Sequence, residues 1–115
     1  FAAEVKQGYA YSGWPPPVYH CRADDKELQI DLVVPNGAVG RLRLYIIDPD
    51  VFKGGRRQRI VVGSRDLGQF ADFHQGRWIE TDVTADMTAD GRLPIRATNL
   101  NGNAVISIIE WVAPQ

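Results

Sequence analysis

The sequence predicts an all-β domain, built as a two-sheet antiparallel β-sandwich. Three observations predict it. Eleven glycines and seven prolines fall between short apolar segments, the punctuation of strands and turns. Those segments alternate apolar and polar residues with period two, which sends one set of side chains into a core and the other toward solvent. No window keeps a helical 3.6-residue period over three turns. The best helical alternative is a single turn around Leu67 to Phe73.

The strands follow in order. Leu28, Ile30, Leu32 and Val34 alternate with Gln29 and Asp31, and Pro35-Asn36-Gly37 closes that strand. Leu42, Leu44 and Ile46 alternate with Arg41, Arg43 and Tyr45, closed by Asp48-Pro49-Asp50. Ile60 and Val62 make a short third strand ending at Gly63. Ile79, Thr81 and Val83 make a fourth, entered through Gln75-Gly76. Leu93, Ile95 and Ala97 make a fifth behind Asp90-Gly91, a favoured turn pair. Ala104 to Val112 is apolar on both parities up to Glu110 and reads as one central strand covered on both faces.

The first twenty residues differ. Tyr9, Tyr11, Trp14 and Tyr19 surround Gly8, Gly13 and Pro15-Pro16-Pro17. Proline has no backbone donor, so this is expected to be a stiff loop after a short N-terminal strand.

A length of 115 residues fits one domain spanning 1–115. The chain starts at Phe1 rather than methionine, and a module cut from a longer polypeptide, or a processed product, is expected. With 44% hydrophobic and 23% charged residues, disorder is excluded as the main state. No apolar run approaches the ~20 residues of a membrane-spanning helix, so no membrane partner is expected. Thirteen basic and fourteen acidic residues give a net charge of −1, without the basic excess of a nucleic-acid binder. The single cysteine, Cys21, excludes an internal disulfide and a cysteine-rich zinc site.

Charge is segregated all the same. Residues 41–65 hold seven basic and two acidic side chains, and residues 66–90 hold one basic and six acidic. Adjacent strands could pair these charges across a sheet. The alternative is a basic rim around Arg56, Arg57 and Arg59 that meets an anionic partner.

No catalytic residues are expected. His20 and His74 are the only histidines. His20 neighbours Cys21 on an extended segment, where adjacent side chains diverge, which leaves Cys21 with His74 as the sole thiol–imidazole pairing. Two histidines and one cysteine so spaced make no zinc signature. Asp48-Pro49-Asp50 offers oxygens to calcium but lacks the remaining ligands. Such a turn more often takes up backbone N–H groups on its carboxylates.

Aromatic placement points elsewhere. Sugars present flat C–H faces edged by hydroxyls, which suit an aromatic ring ringed by amides and charged hydrogen-bonders. Tyr11, Trp14 and Tyr19 occupy loop rather than strand, with Trp14 either presenting its ring or packing as a lid over the sandwich. Asn99-Leu100-Asn101-Gly102-Asn103 supplies three amides in a second loop, unless they only build turns. Trp78 shares parity with Glu80 and Asp82, on the polar face of its strand, where a neighbouring strand or a stacked arginine could cover it. Trp111 is expected in the core.

Several segments together carry a resemblance: Arg22-Ala23-Asp24 before the Leu28–Val34 strand, Gly40-Arg41-Leu42-Arg43-Leu44-Tyr45-Ile46-Ile47-Asp48, Arg57–Val62, Gly76-x-Trp78 and Asn103-Ala104-Val105-Ile106-Ser107. Over about residues 8 to 113 the chain resembles the galactose-binding-domain-like β-sandwich modules appended to bacterial polysaccharide-degrading enzymes. The resemblance implies a jelly-roll sandwich with a sugar site in loops at one end. It also implies a secreted or cell-surface bacterial location and a neighbouring catalytic domain on the same chain. Many such modules hold a structural calcium; here only weak candidate ligands match, and no cofactor is expected. The expected function is a non-catalytic module that binds a polysaccharide or oligosaccharide. Trp14 would stack on a sugar ring between Tyr11 and Tyr19. His20, Asn101 and Asn103 would bind hydroxyls, and Arg22 or Arg56 any carboxylate or sulfate. Trp78 is the further candidate. The alternatives are a protein-interaction sandwich and, behind it, a small hydrolase.

Overall fold

In a computed structural model the chain is all-β. It describes residues 2–4, 9–10 and 20–112, with side chains from Asp24 to Val112. The strands are β1 (Ala2–Glu4), β2 (Tyr9–Ala10), β3 (His20–Asp24), β4 (Glu27–Val33), β5 (Gly40–Ile46), β6 (Arg57–Val62), β7 (Arg65–Phe70), β8 (Arg77–Val83), β9 (Arg92–Asn101), β10 (Ala104–Ile106) and β11 (Ile108–Val112). Short 3-10 turns occupy Phe52–Gly54 and Ala85–Thr88.

Two four-stranded antiparallel sheets make the sandwich, in the orders β1-β11-β5-β8 and β4-β9-β6-β7. The alternation read from sequence sets which side chains meet between them. Leu42, Leu44, Ile46, Ile79 and Val83 come from the first sheet and Leu28, Ile60, Val62, Leu93, Ile95 and Ala97 from the second, all buried in one core. Trp111 packs at the edge of this core. It lies across Gly40, where a Cβ would come within 2.7 Å of the indole.

The segregated charges pair across the first sheet. Arg41 meets Glu80 at 3.0 Å and Asp82 at 3.3 Å, while Arg43 meets Glu80 and Glu110, each at 2.6 Å. Register explains it, because Arg43 stands opposite Glu80 on one side and Glu110 on the other.

Three features differ from the sequence reading. Of the best helical alternative, Leu67 to Phe73, the first four residues lie in strand β7, in a hairpin with β6, and the rest in the turn that follows. Asp66 accepts the Gly68 N–H at 2.8 Å and pairs with Arg59 at 2.6 Å, so the polar residues that blur its period are locally bonded. The run 104–112 is two strands, with buried Ser107 between them donating its N–H to the Tyr45 carbonyl at 2.9 Å. It is apolar on both parities because it changes partners there: β10 pairs with β3, β11 with β5 and β1. A short third sheet, β10-β3-β2, therefore joins the two expected. Gln58 stitches it to β6. The fully buried carboxamide donates to the Val105 carbonyl at 3.0 Å and accepts the Val105 N–H at 2.8 Å. Among the described residues no helix is long and apolar enough to cross a membrane.

Candidate functional site

At one end of the sandwich three connections converge: β5–β6 (residues 47–56), β7–β8 (71–76) and β9–β10 (102–103). They enclose a shallow cleft of about 370 Å³ lined by Gly54, Gly55, Arg56, Arg57, Ala71, Asp72 and Asn101.

The cleft is held open by a buried polar clasp. Asp48 and Arg56 are each about 95% covered. Asp48 Oδ2 accepts the Arg56 backbone N–H at 2.8 Å, its Oδ1 accepts the Phe52 N–H at 3.1 Å, and Oδ1 also pairs with Arg56 Nη1. Arg56 Nη1 reaches Asp50 at 2.5 Å, and its Nε donates to buried Asn103 Oδ1 at 2.5 Å. The Asp48-Pro49-Asp50 turn thus takes up backbone donors, as its chemistry favours. Asn101 stands opposite Arg57 in the ladder and donates its Nδ2 to the Gly55 carbonyl at 2.6 Å and the Lys53 carbonyl at 3.1 Å. The Phe52 ring closes the loop from outside, 4.8 Å from the Arg56 guanidinium and against Gly102, where the backbone is left-handed (φ +80°).

This clasp does not suit calcium. Both carboxylates already face a guanidinium, which supplies the positive charge a cation would bring. Among the described residues no group of three or more His, Cys, Asp or Glu side chains could hold a metal.

Backbone strain among the described residues is confined to the same place. Among the described residues three that are not glycine have positive φ: Val51 (46°), Lys53 (51°) and Asp72 (57°). All three sit in the loops around the cleft. For a β-branched residue such as Val51 this conformation is a genuine outlier, sustained only where surrounding bonds over-determine it.

The sequence-derived candidates divide as follows. Arg56, Asn101 and Asn103 come together, Arg56 and Asn103 in the clasp and Asn101 on the loop carbonyls; Asn99 and Asn101, expected in a loop, are instead the paired end of strand β9. Tyr11, Trp14 and Tyr19 lie outside the described residues. His20 and Arg22 are placed by backbone alone, in β3, with Arg22 opposite Ile106. Asp24 at the other end of β3 pairs with Ala104, next to the asparagine loop. His20 is four positions further along the strand, about 13 Å away at strand rise. Trp78 lies on the outer face of the first sheet, 38% exposed, with Arg43 4.3 Å from its ring centroid. His74 is exposed in the β7–β8 turn, and the Cys21 side chain is outside the described residues.

Of the cleft lining, Asp72 was missed; Arg57 entered the sequence reading only as part of a basic rim, and Asp48, beneath the cleft, only as a turn carboxylate. The two arginines look alike in sequence, yet strand parity separates them. Gln58, Ile60 and Val62 point inward, and extending that parity back one step reaches Arg56. Arg59 and Val61 point outward with Arg57. Arg56 is therefore a buried structural cation, and exposed Arg57, which has no ion-pair partner among the described residues, is the cleft's usable one.

No protein-family model and no curated protein matches the chain. Its fold does match solved structures. The chain is similar to the ANX1 ectodomain from Arabidopsis thaliana (TM-score 0.63, 9% identity), covering 96% of this chain and 38% of that one. It is similar to the CBM36-1 domain of a multidomain xylanase from the hindgut metagenome of Trinervitermes trinervoides (TM-score 0.53, 13% identity, 98% and 93% covered). A carbohydrate-binding module CBM36 in complex with calcium and xylotriose matches with TM-score 0.53 and 14% identity, over 96% and 98% of the two chains. At these identities the likeness establishes a shared β-sandwich fold.

Proposed function

We propose that this domain is a non-catalytic carbohydrate-binding module of an extracellular protein, which holds a neighbouring glycan-active domain on a polysaccharide through the loop-end cleft. One observation carries the reading: the strained residues and the buried Asp48–Arg56–Asn103 clasp all serve a single polar cleft. Strain kept at one place, with a rigid support beneath it, is the signature of a preorganised binding surface. Arg57, the Asn101 amide oxygen and the Asp72 carboxylate are the groups offered to hydroxyls.

The sandwich neighbours that are carbohydrate-binding modules, one of them holding xylotriose, support the same reading. Arg56 leaves the set of ligand contacts, since its guanidinium already serves two carboxylates and an amide. The cleft's own charges, Lys53, Arg56 and Arg57 against Asp48, Asp50 and Asp72, cancel, which suits a neutral sugar. An open site of this size implies weak binding, on the order of 10 μM to 1 mM.

Native affinity electrophoresis tests it with arabinoxylan, mixed-linkage β-glucan, galactomannan and polygalacturonate. At least one neutral polysaccharide should retard the domain, and Arg57→Ala with Asp72→Asn should relieve the retardation. Asparagine tolerates the left-handed backbone at 72, so that change removes charge without adding strain. A folded domain that no polysaccharide retards is instead a protein-interaction sandwich, the reading that the likeness to the ANX1 ectodomain would favour.

A further inference from the structure

The outer face of sheet β1-β11-β5-β8 carries Trp78, the one exposed Trp, Tyr or Phe ring among the described residues. It is held from two sides. Arg43 lies 4.3 Å from the indole centroid and is itself pinned by Glu80 and Glu110, each at 2.6 Å. Those carboxylates raise the Arg43 pKa, led by the bond from Glu110. Opposite Trp78 in the ladder, the Tyr45 ring stands 5.0 Å away, tilted by 51°. Tyr45 is fixed in turn by Gly76, where a Cβ would fall 1.9 Å from the Tyr45 hydroxyl. An exposed ring immobilised in this way needs no ordering when a partner arrives.

The surroundings narrow the partner. The charges of this face pair with one another through Arg41, Arg43, Glu80, Asp82 and Glu110, so it offers no surplus positive charge to an anionic polymer. A stable protein interface buries about 800 Å² per partner around an apolar centre. Here Trp78 is separated from the next exposed apolar side chain, Val112, by that ladder of ion pairs. One ring edged by hydrogen-bonding groups matches one pyranose: the C–H face stacks and the equatorial hydroxyls meet the edge.

We propose that Trp78, supported by Arg43 and flanked by Tyr45, is a second sugar-stacking platform for a neutral pyranose unit, separate from the loop-end cleft. The proposal rests on the carbohydrate-binding reading and adds a second contact to it. Tyr45 and Trp78 stand where β5 leaves for and β8 returns from the loops that build the cleft. A long glycan could therefore engage both places and gain avidity that a trisaccharide cannot.

The test measures affinity electrophoresis on the four polysaccharides for Trp78→Ala, Trp78→Phe and the Arg57→Ala/Asp72→Asn double variant. Melting curves check folding, and the indole N–H signals are followed by NMR during titration with a xylan hexasaccharide. Trp78→Ala should weaken binding to the retarding neutral polysaccharide about 5- to 100-fold, taking base–aromatic stacking as the measured analogue. Trp78→Phe should keep most of the affinity, and the Trp78 indole signal should move on titration. Parental affinity in folded Trp78→Ala, or a Trp78 signal that stays still while binding proceeds, overturns the platform. If only the cleft variant weakens binding, the platform fails and the cleft stands; if only Trp78→Ala does, the cleft fails and the platform stands. Selective retardation by polygalacturonate overturns the neutral-sugar assignment. A folded parent retarded by nothing overturns both sites and leaves this face to a protein neighbour.

Discussion

Arg56 and Asp48 are joined twice, once through the guanidinium and once through the Arg56 backbone N–H donated to Asp48 Oδ2 at 2.8 Å. The pair fixes a side chain and the loop that carries it in one step. Asp48→Ala would take from a covered guanidinium its buried carboxylate partner and leave two backbone donors without their acceptor. A loss of about 3–5 kcal/mol is expected from removing one partner of a buried pair, measured by urea denaturation. A loss under about 1 kcal/mol would show that the clasp does not hold the loop.

Gln58 is the second buried polar device. Gln58→Leu keeps its bulk but abandons the Val105 N–H and carbonyl inside the protein. Each unsatisfied buried group costs about 1–3 kcal/mol, so about 2–5 kcal/mol should be lost at the denaturation midpoint. Leu44→Ala and Ile106→Ala, in the apolar core, should each lose about 2–4 kcal/mol.

Gly76→Ala tests the seat of Tyr45. It places a side chain on a left-handed backbone (φ +91°) and into the Tyr45 hydroxyl. Stability should fall by about 1–3 kcal/mol, and the Tyr45 ring signals should shift in NMR spectra. Unmoved Tyr45 signals would contradict the packing described.

Acid should loosen the domain through its surface pairs. The Arg41 side chain holds the Glu80 pKa down, and the Gly68 N–H, then Arg59, hold that of Asp66 down. For a lowered carboxylate, stability is present above the unfolded pKa and disappears as pH falls through the folded one. Melting temperature should therefore drop below about pH 4, and Glu80→Gln with Asp66→Asn should flatten that drop. An equally steep drop in the double variant would assign the acid sensitivity elsewhere.

Removing divalent cations should matter little. With Asp48 and Asp50 both engaged by Arg56 and no further acidic ligand grouped with them among the described residues, EDTA should lower the melting temperature by only a few degrees. A fall of more than about 10 °C, reversed by calcium, would reveal a structural site.

The sandwich was legible because Leu42, Leu44 and Ile46, or Ile79, Thr81 and Val83, alternate cleanly against charged neighbours, and one buried face fixes that pattern. Pairing of the segregated charges followed from the same alternation. Ser107 was not legible: a strand that changes sheets keeps its apolar run, and periodicity carries no partner. β7 was obscured because Asp66 and Gly68 bond locally and break the alternation. In the site, Asn101, Asn103 and Arg56 were legible as residues, but not that Asn99 to Asn101 end strand β9 or that Arg56 lies buried. A lone arginine beside a lone arginine looks exposed until the parity of Gln58, Ile60 and Val62 is carried back to it. The parity of Trp78 with Glu80 and Asp82 sets it on the polar face; of the two covers open to it, a neighbouring strand or a stacked arginine, Arg43 is present, and the ring stays 38% exposed.

The most direct measurement of the central claim is a titration of the ¹⁵N-labelled domain with neutral oligosaccharides, followed by backbone amide shifts. Saturable shifts should concentrate at Gly54, Gly55, Arg57, Asp72 and Asn101, with a Kd on the order of 10 μM to 1 mM. A folded domain whose cleft amides do not move with any neutral oligosaccharide up to about 10 mM would contradict the account.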